Sequence, residues 1–224
     1  MFRLIAQDRS AEEIKLLCLL RWNKIRVLTH TNSRGEYWVK FKRNVFKVSA
    51  RQMVALTSTL DFIDEIPPRP VRLSHIGKHR PVEANFNGVS FEVYLYCDNL
   101  FQGYLHTENL DILKDMVKVL YDAEDIDPSK SECIMAFYWF ASLKRLMAER
   151  FPHFYQPIDS VTPQDLLQSE SLHQKLTNAV NAQIRALTNG DVTKENYVMK
   201  MDTIRALTEL DAKAWEAEQI KKQK

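Results

Sequence analysis

Phe91-Glu92-Val93-Tyr94-Leu95-Tyr96-Cys97-Asp98-Asn99-Leu100-Phe101-Gln102-Gly103-Tyr104-Leu105 is the stretch on which the fold class of this 224-residue chain turns. Its opening, Phe91 to Leu95, is rich enough in aromatic and β-branched residues to suit a strand. Over the whole stretch, however, Phe91, Tyr94, Leu95, Asn99 and Gln102 share one helical face. The helical reading is favoured. With it, six or seven helical stripes stand against about five short strands, so helix should exceed strand by at least two to one.

Working toward the C-terminus, Leu110, Leu113, Val117 and Leu120-Tyr121 form a clear helical stripe. Asp127-Pro128 reads as an N-cap with proline at the first helical position. The helix it opens should run to about Arg150. Phe137, Trp139, Phe140, Leu143 and Met147 make it apolar all round, as in a helix that is centrally buried or covers an oligomer contact. Pro152 and Pro157 end it. Thr162-Pro163-Gln164-Asp165 starts another helix, closed by Asn189-Gly190. Thr193 begins the last, with Tyr197, Val198, Met201, Ile204, Leu207, Leu210, Ala214 and Trp215 as its stripe. Roughly 29 residues would span about 43 Å, with a polar end that frays or projects.

Working toward the N-terminus, three prolines in Pro67-Pro68-Arg69-Pro70 exclude helix and central strand. Before them, Ser10-Ala11-Glu12-Glu13 is a capping box, and the helix it opens ends near Asn23. Lys24 to His30, Glu36 to Phe41 and Asn44 to Val48 read as a small antiparallel meander, with Thr31 to Gly35 as a turn. Ser49 and Gln52 form a second capping box for a helix reaching about Phe62. After the prolines, Val71 to Ile76 and Val82 to Phe86 read as strands, and Asn87-Gly88 as a tight hairpin turn. The fold class is therefore α+β and predominantly helical: an N-terminal β meander with helices, a β-hairpin, then a helical body ending in a long C-terminal helix. The expected units are residues 1–66, a linker at 67–70, and 71–224.

Apolar residues make up 45% of the chain and charged residues 27%, enough for a packed core. Only five glycines argue against a turn-rich all-β fold and against glycine-rich phosphate loops. The net charge of +2 is unevenly spread. Residues 1–60 hold 12 Lys/Arg and 4 Asp/Glu, and residues 61–224 hold 19 and 25. Cys18, Cys97 and Cys133 lie far apart in apolar stretches, which reads as reduced, buried thiols. The apolar run at Met1 to Asp8 is too short for a signal peptide, and no stretch approaches the length of a membrane helix. A non-secreted protein without a membrane partner is the expectation.

Candidate chemistry is sparse. His75 and His79 have metal-like spacing, but a surface turn suits them better, because further ligands are missing nearby. Asp122, Glu124, Asp125 and Asp127 depart from the calcium-loop pattern and suit a helix start. Asp98, Asn99 and Gln102 sit among aromatic residues and mark a ligand pocket or satisfied polar groups. No Walker loop, dinucleotide fingerprint, zincin helix or nucleophile elbow occurs, so the expectation is no enzyme and no cofactor.

The basic stretch carries more information. Lys24, Arg26, Arg34, Lys40, Lys42, Arg43, Lys47 and Arg51 interleave with Trp22, Tyr37, Trp38, Phe41 and Phe46. Alternation in a strand would set Lys40 and Lys42 opposite Val39 and Phe41. Such a face suits phosphates, but lysines also protect exposed strand edges. Together with Phe137, Trp139, Phe140 and Trp215, these cations are the candidate interaction residues.

Leu20-Arg21-Trp22-Asn23, Asp98 to Leu105 and Phe137-Tyr138-Trp139-Phe140 resemble a family of uncharacterised proteins of tailed bacteriophages and prophages of Bacteroides-type bacteria. Leu187 to Lys194, Met201-Asp202 and Arg205 to Leu210 are similar too. The resemblance implies virion morphogenesis: a neck, tail or capsid-associated component, or a tail-assembly chaperone. It carries over no functional residue. The expected role is a non-enzymatic structural or assembly protein in the host cytoplasm or the virion. Its partners would be other virion or assembly proteins, or further copies of itself. The alternative is a nucleic-acid-binding module built on the basic N-terminal sheet.

Overall fold

The computed structural model describes residues 2–7, 9–29, 36–155 and 172–222. Of the described residues 63% are helical, with one small antiparallel sheet near the N-terminus and a helical body after it. It divides into two compact units, Met1–Pro67 and Pro68–Lys224.

The first unit opens with α1 (Phe2–Ile5) and α2 (Ala11–Trp22). The Ser10 hydroxyl accepts from the Glu13 amide at 3.2 Å. The Glu13 carboxylate pairs with Arg9, so the expected box is half formed. Strands β1 (Arg26–Thr29), β2 (Glu36–Phe41) and β3 (Asn44–Ser49) pair in the order β1-β2-β3. The Ser49–Gln52 box is complete and starts α3 (Ala50–Thr57), which continues as a 3-10 turn over Ser58–Asp64. Leu4, Ile14, Cys18, Leu19, Leu60 and Ile63 form the core. Lys15 of α2 bonds Asp61 at 2.7 Å and also reaches Asp64, holding the 3-10 turn in place.

In the second unit, α4 (Phe91–Thr107), α5 (Leu110–Leu120) and α6 (Lys130–Arg150) pack together. The stretch that decided the fold class is thus a single helix. Its Phe91, Tyr94, Leu95 and Phe101 are buried, while Asn99 and Gln102 are half-buried. Helices α7 (Leu172–Thr188), α8 (Glu195–Met199) and α9 (Thr203–Lys222) complete it. Asn189 and Gly190 both have positive φ and close α7, with the Gly190 amide donating to Arg185 O at 3.1 Å. Pro157 and the expected helix start at Thr162 to Asp165 lie outside the described residues.

Three expectations are corrected. First, residues 71–90 form no hairpin. Ile76 and His79 make an isolated bridge there, Ser90 bridges to distant Asp202, and backbone polar groups of the stretch turn to the helices instead. Val82 N donates to Leu120 O at 2.8 Å, and Trp139 Nε1 donates to Ala84 O at 3.0 Å. Phe86 takes a left-handed φ of 60°, uncommon for a bulky side chain, and is fully buried between α4 and α6 residues. Second, α6 is capped by Ser129 and not by Asp127: the Glu132 carboxylate accepts from Ser129 N at 2.7 Å and from its hydroxyl at 2.6 Å. Third, the expected long final helix breaks between α8 and α9. Met201 O accepts from Phe91 N and Val89 O from Thr203 N, both at 2.8 Å, so the chain here pairs with the loop before α4.

Candidate functional site

The register of the N-terminal sheet sorts its side chains into two faces. Lys40 stands opposite Arg26 on one side and Val45 on the other, and Trp38 stands opposite Lys47. All five of these side chains are exposed and form the outer face. Val39, paired with Val27 and Phe46, and Tyr37, paired with Val48, point the other way. Lys47 Nζ lies 5.1 Å from the Trp38 ring centroid and 3.4 Å from Glu36.

Lys42 corrects the expected alternation. It sits in the β2–β3 turn with Arg43, at φ 55°, and its ammonium lies 5.2 Å from the Phe41 ring. It still joins the basic set. A cleft of about 650 Å³ where the end of α2 meets β1 and β2 is lined by Leu20, Arg21, Asn23, Lys24, Ile25, Arg26, Lys40, Phe41 and Lys42. Five of the nine are cations and none is an acid. Among the described residues, none of these five has an ion-pair partner. Four acids of the unit are engaged elsewhere: Glu13 with Arg9, Asp61 and Asp64 with Lys15, and Glu36 with Lys47. Arg51 is exposed on α3, and Arg34 lies outside the described residues.

The inner face meets α2 and α3 incompletely. A groove of about 570 Å³ is lined by Leu16, Leu17, Val27, Tyr37, Ala50, Met53 and Val54, with Glu13 at its side. Helix α3 has no buried residue, and Val54 is 68% exposed. Val27, Phe46 and Leu56 are exposed as well. Sequence reading missed this groove, because a capped apolar stripe on α3 looks the same whether or not something covers it.

The aromatic candidates divide. Trp139 and Phe140 are in the core of the second unit, so they present no surface to a partner. Phe137 is half-buried and stacks on Phe101 with ring centroids 5.2 Å apart. Trp215, on α9, is 48% exposed and remains available.

Asp98 pairs with Lys144, whose ammonium lies 5.9 Å from the Tyr155 ring. The Tyr94 and Tyr155 hydroxyls bond to each other beside it. Burial pushes both phenols well above the usual range, so both are neutral hydroxyls and not phenolate bases. Tyr121 is pushed up to about 12, again chiefly by burial, and donates to Leu73 O at 3.1 Å. A free phenol ionises near pH 10. The stability these groups contribute is therefore complete below about pH 10 and is lost as pH rises through their folded values. Ultraviolet titration of the full chain should show these three phenols ionising only as helix is lost, with unfolding beginning above about pH 10. Phenolate absorbance complete before any loss of helix would place them at the surface.

Among the described residues, no three His, Cys, Asp or Glu side chains converge on a metal-sized site. His79 Nε2 sits 3.2 Å from Asp125, which also meets Lys78 at 3.4 Å, and His75 is exposed. Asp127 faces Lys114 at 3.5 Å, so Asp125 and Asp127 serve ion pairs in place of the expected helix start. Burial pushes the Cys133 thiol up to about 11 and the Cys97 thiol higher, which keeps both protonated and unreactive. No described helix is long and apolar enough to cross a membrane. No protein-family model matches the chain, and no curated protein or solved structure matches it significantly.

Proposed function

We propose that this protein works by docking onto other proteins, as a structural or assembly component of a tailed-phage virion. The observation that carries this is the open groove between α2, the inner sheet face and α3. A capped helix with no buried residue, whose own Val54 is exposed, together with exposed Val27 and Phe46 of the inner sheet face, leaves apolar surface that a partner would cover. The resemblance of the Asp98 to Leu105 and Phe137 to Phe140 stretches to phage proteins supports placing that partner in the particle. Trp215 on α9 offers a second apolar contact.

The test is mass measurement in solution, for the chain alone and mixed with purified particle proteins of a tailed phage. The expected result is a complex heavier than the 26.2 kDa chain. Val54→Asp should weaken it about 10- to 100-fold, the range for losing one buried aliphatic side chain. A mass of one chain in every mixture would sink the proposal, and self-association alone would replace it with a homo-oligomer.

A further inference from the structure

We propose that the outer face of the N-terminal sheet, together with the basic cleft at its end, binds a single-stranded nucleic acid. Phosphates would occupy the cleft between Lys24, Arg26, Lys40 and Lys42, and a base would stack on Trp38. This site is separate from the apolar groove, which lies on the other side of the sheet.

Three observations carry the proposal. The cleft gathers five cations without an acid, and among the described residues none has an ion-pair partner. The negative end of the α2 dipole accounts for Arg21 and Lys24 near its C-terminus. It does not account for Arg26, Lys40 and Lys42, which come from the sheet and its turn. Like charges held close without counter-charges are unfavourable until an anion arrives. Second, Trp38 stands on the same face, between Lys40 two residues on and Lys47 across the strand pair, and keeps 40% of its surface open. An exposed indole framed by cations is the arrangement that stacks bases while the cations follow the backbone. An acidic peptide would use the cations but has no need of the indole. Third, the exposed platform is a sheet face, whereas the duplex major groove takes a helix or a two-stranded ribbon, so single strands are the better fit.

The test uses the full chain and fluorescent oligothymidylate, measured by anisotropy, with a duplex of equal length and polyglutamate as competitors. Binding is expected at low salt and should weaken about 50-fold between roughly 50 and 200 mM salt if four phosphates are held, at about 0.7 log unit per phosphate. Trp38→Ala should weaken it roughly 5- to 100-fold, the span for one lost base stack, and Trp38→Phe should restore most of it. Lys40→Gln with Lys42→Gln should lower the salt slope. Circular dichroism checks that each variant folds, and both lysine side chains are exposed. Absence of binding at low salt overturns the proposal. Equal competition by polyglutamate, or a Trp38→Ala variant that binds normally, reassigns the face to an acidic protein. Duplex bound as tightly as the single strand removes the single-strand assignment.

Discussion

Trp139→Ala is expected to lower the unfolding free energy of the chain's helical body by about 3–5 kcal/mol, the usual range for emptying a buried large aromatic site. The residue is 1% exposed and lies on α6 at the centre of an aromatic cluster. Phe86 and Tyr121 meet it edge-on, with ring centroids 6.5 Å and 6.4 Å away. The Arg72 guanidinium lies 5.8 Å from its ring centroid. Truncation removes these contacts together and leaves the Ala84 carbonyl without its indole donor. Phe86 suffers next, because its left-handed backbone is tolerated only while the cluster holds its ring. Urea unfolding followed by circular dichroism reads the effect. Against a typical total of about 5–15 kcal/mol, the loss would be visible at once. Trp215→Ala, half-exposed on α9, should stay within about 0.5 kcal/mol and serves as the control. Similar small losses for both would place Trp139 outside the core.

That contrast also shows what the sequence carried. Helix starts and stops were legible where one side chain or one turn residue meets a local backbone need. Ser10, Ser49 and Asn189-Gly190 all act at the positions their spacing indicated. The α4 period was legible because apolar residues recur at three and four, whatever lies opposite. Residues 71–90 misled because apolar, β-branched runs fill a core equally well as irregular chain. What distinguishes the two is where Val82 N and Ala84 O find partners, and both partners belong to distant helices. An all-round apolar α6 does not reveal that Trp139 and Phe140 are enclosed while Phe137 is only half covered. In the candidate site, the charge excess of residues 1–60 was plain from counting. Its concentration into one unpaired cleft depends on the cross-strand register and on the left-handed turn that carries Lys42.

Asp202→Ala is expected to destabilise the protein by about 2–4 kcal/mol, although a reading of one unbroken final helix would make the same change harmless. Asp202 lies in the break between α8 and α9. One carboxylate oxygen accepts from Gly88 N at 2.6 Å, and the other accepts from Arg205 N at 3.0 Å in the first turn of α9. The next residue, Thr203, is fully buried and its hydroxyl donates to Val89 O at 2.8 Å. Losing an N-cap costs about 1 kcal/mol, and losing a charged acceptor for a backbone donor about 1.5–3 kcal/mol. Inside a continuous helix, alanine is the best helix former and would be neutral or stabilising there. The sign of the change thus separates the two architectures. Asp202→Asn keeps one carbonyl acceptor and should cost about half as much. Hydrogen exchange should speed up at Gly88, whose amide loses its acceptor, and at Phe91 and Thr203, which bond across the same junction. Unchanged protection at these three amides, with no loss of stability, would show that the break contributes nothing to holding the loop before α4 against the start of α9.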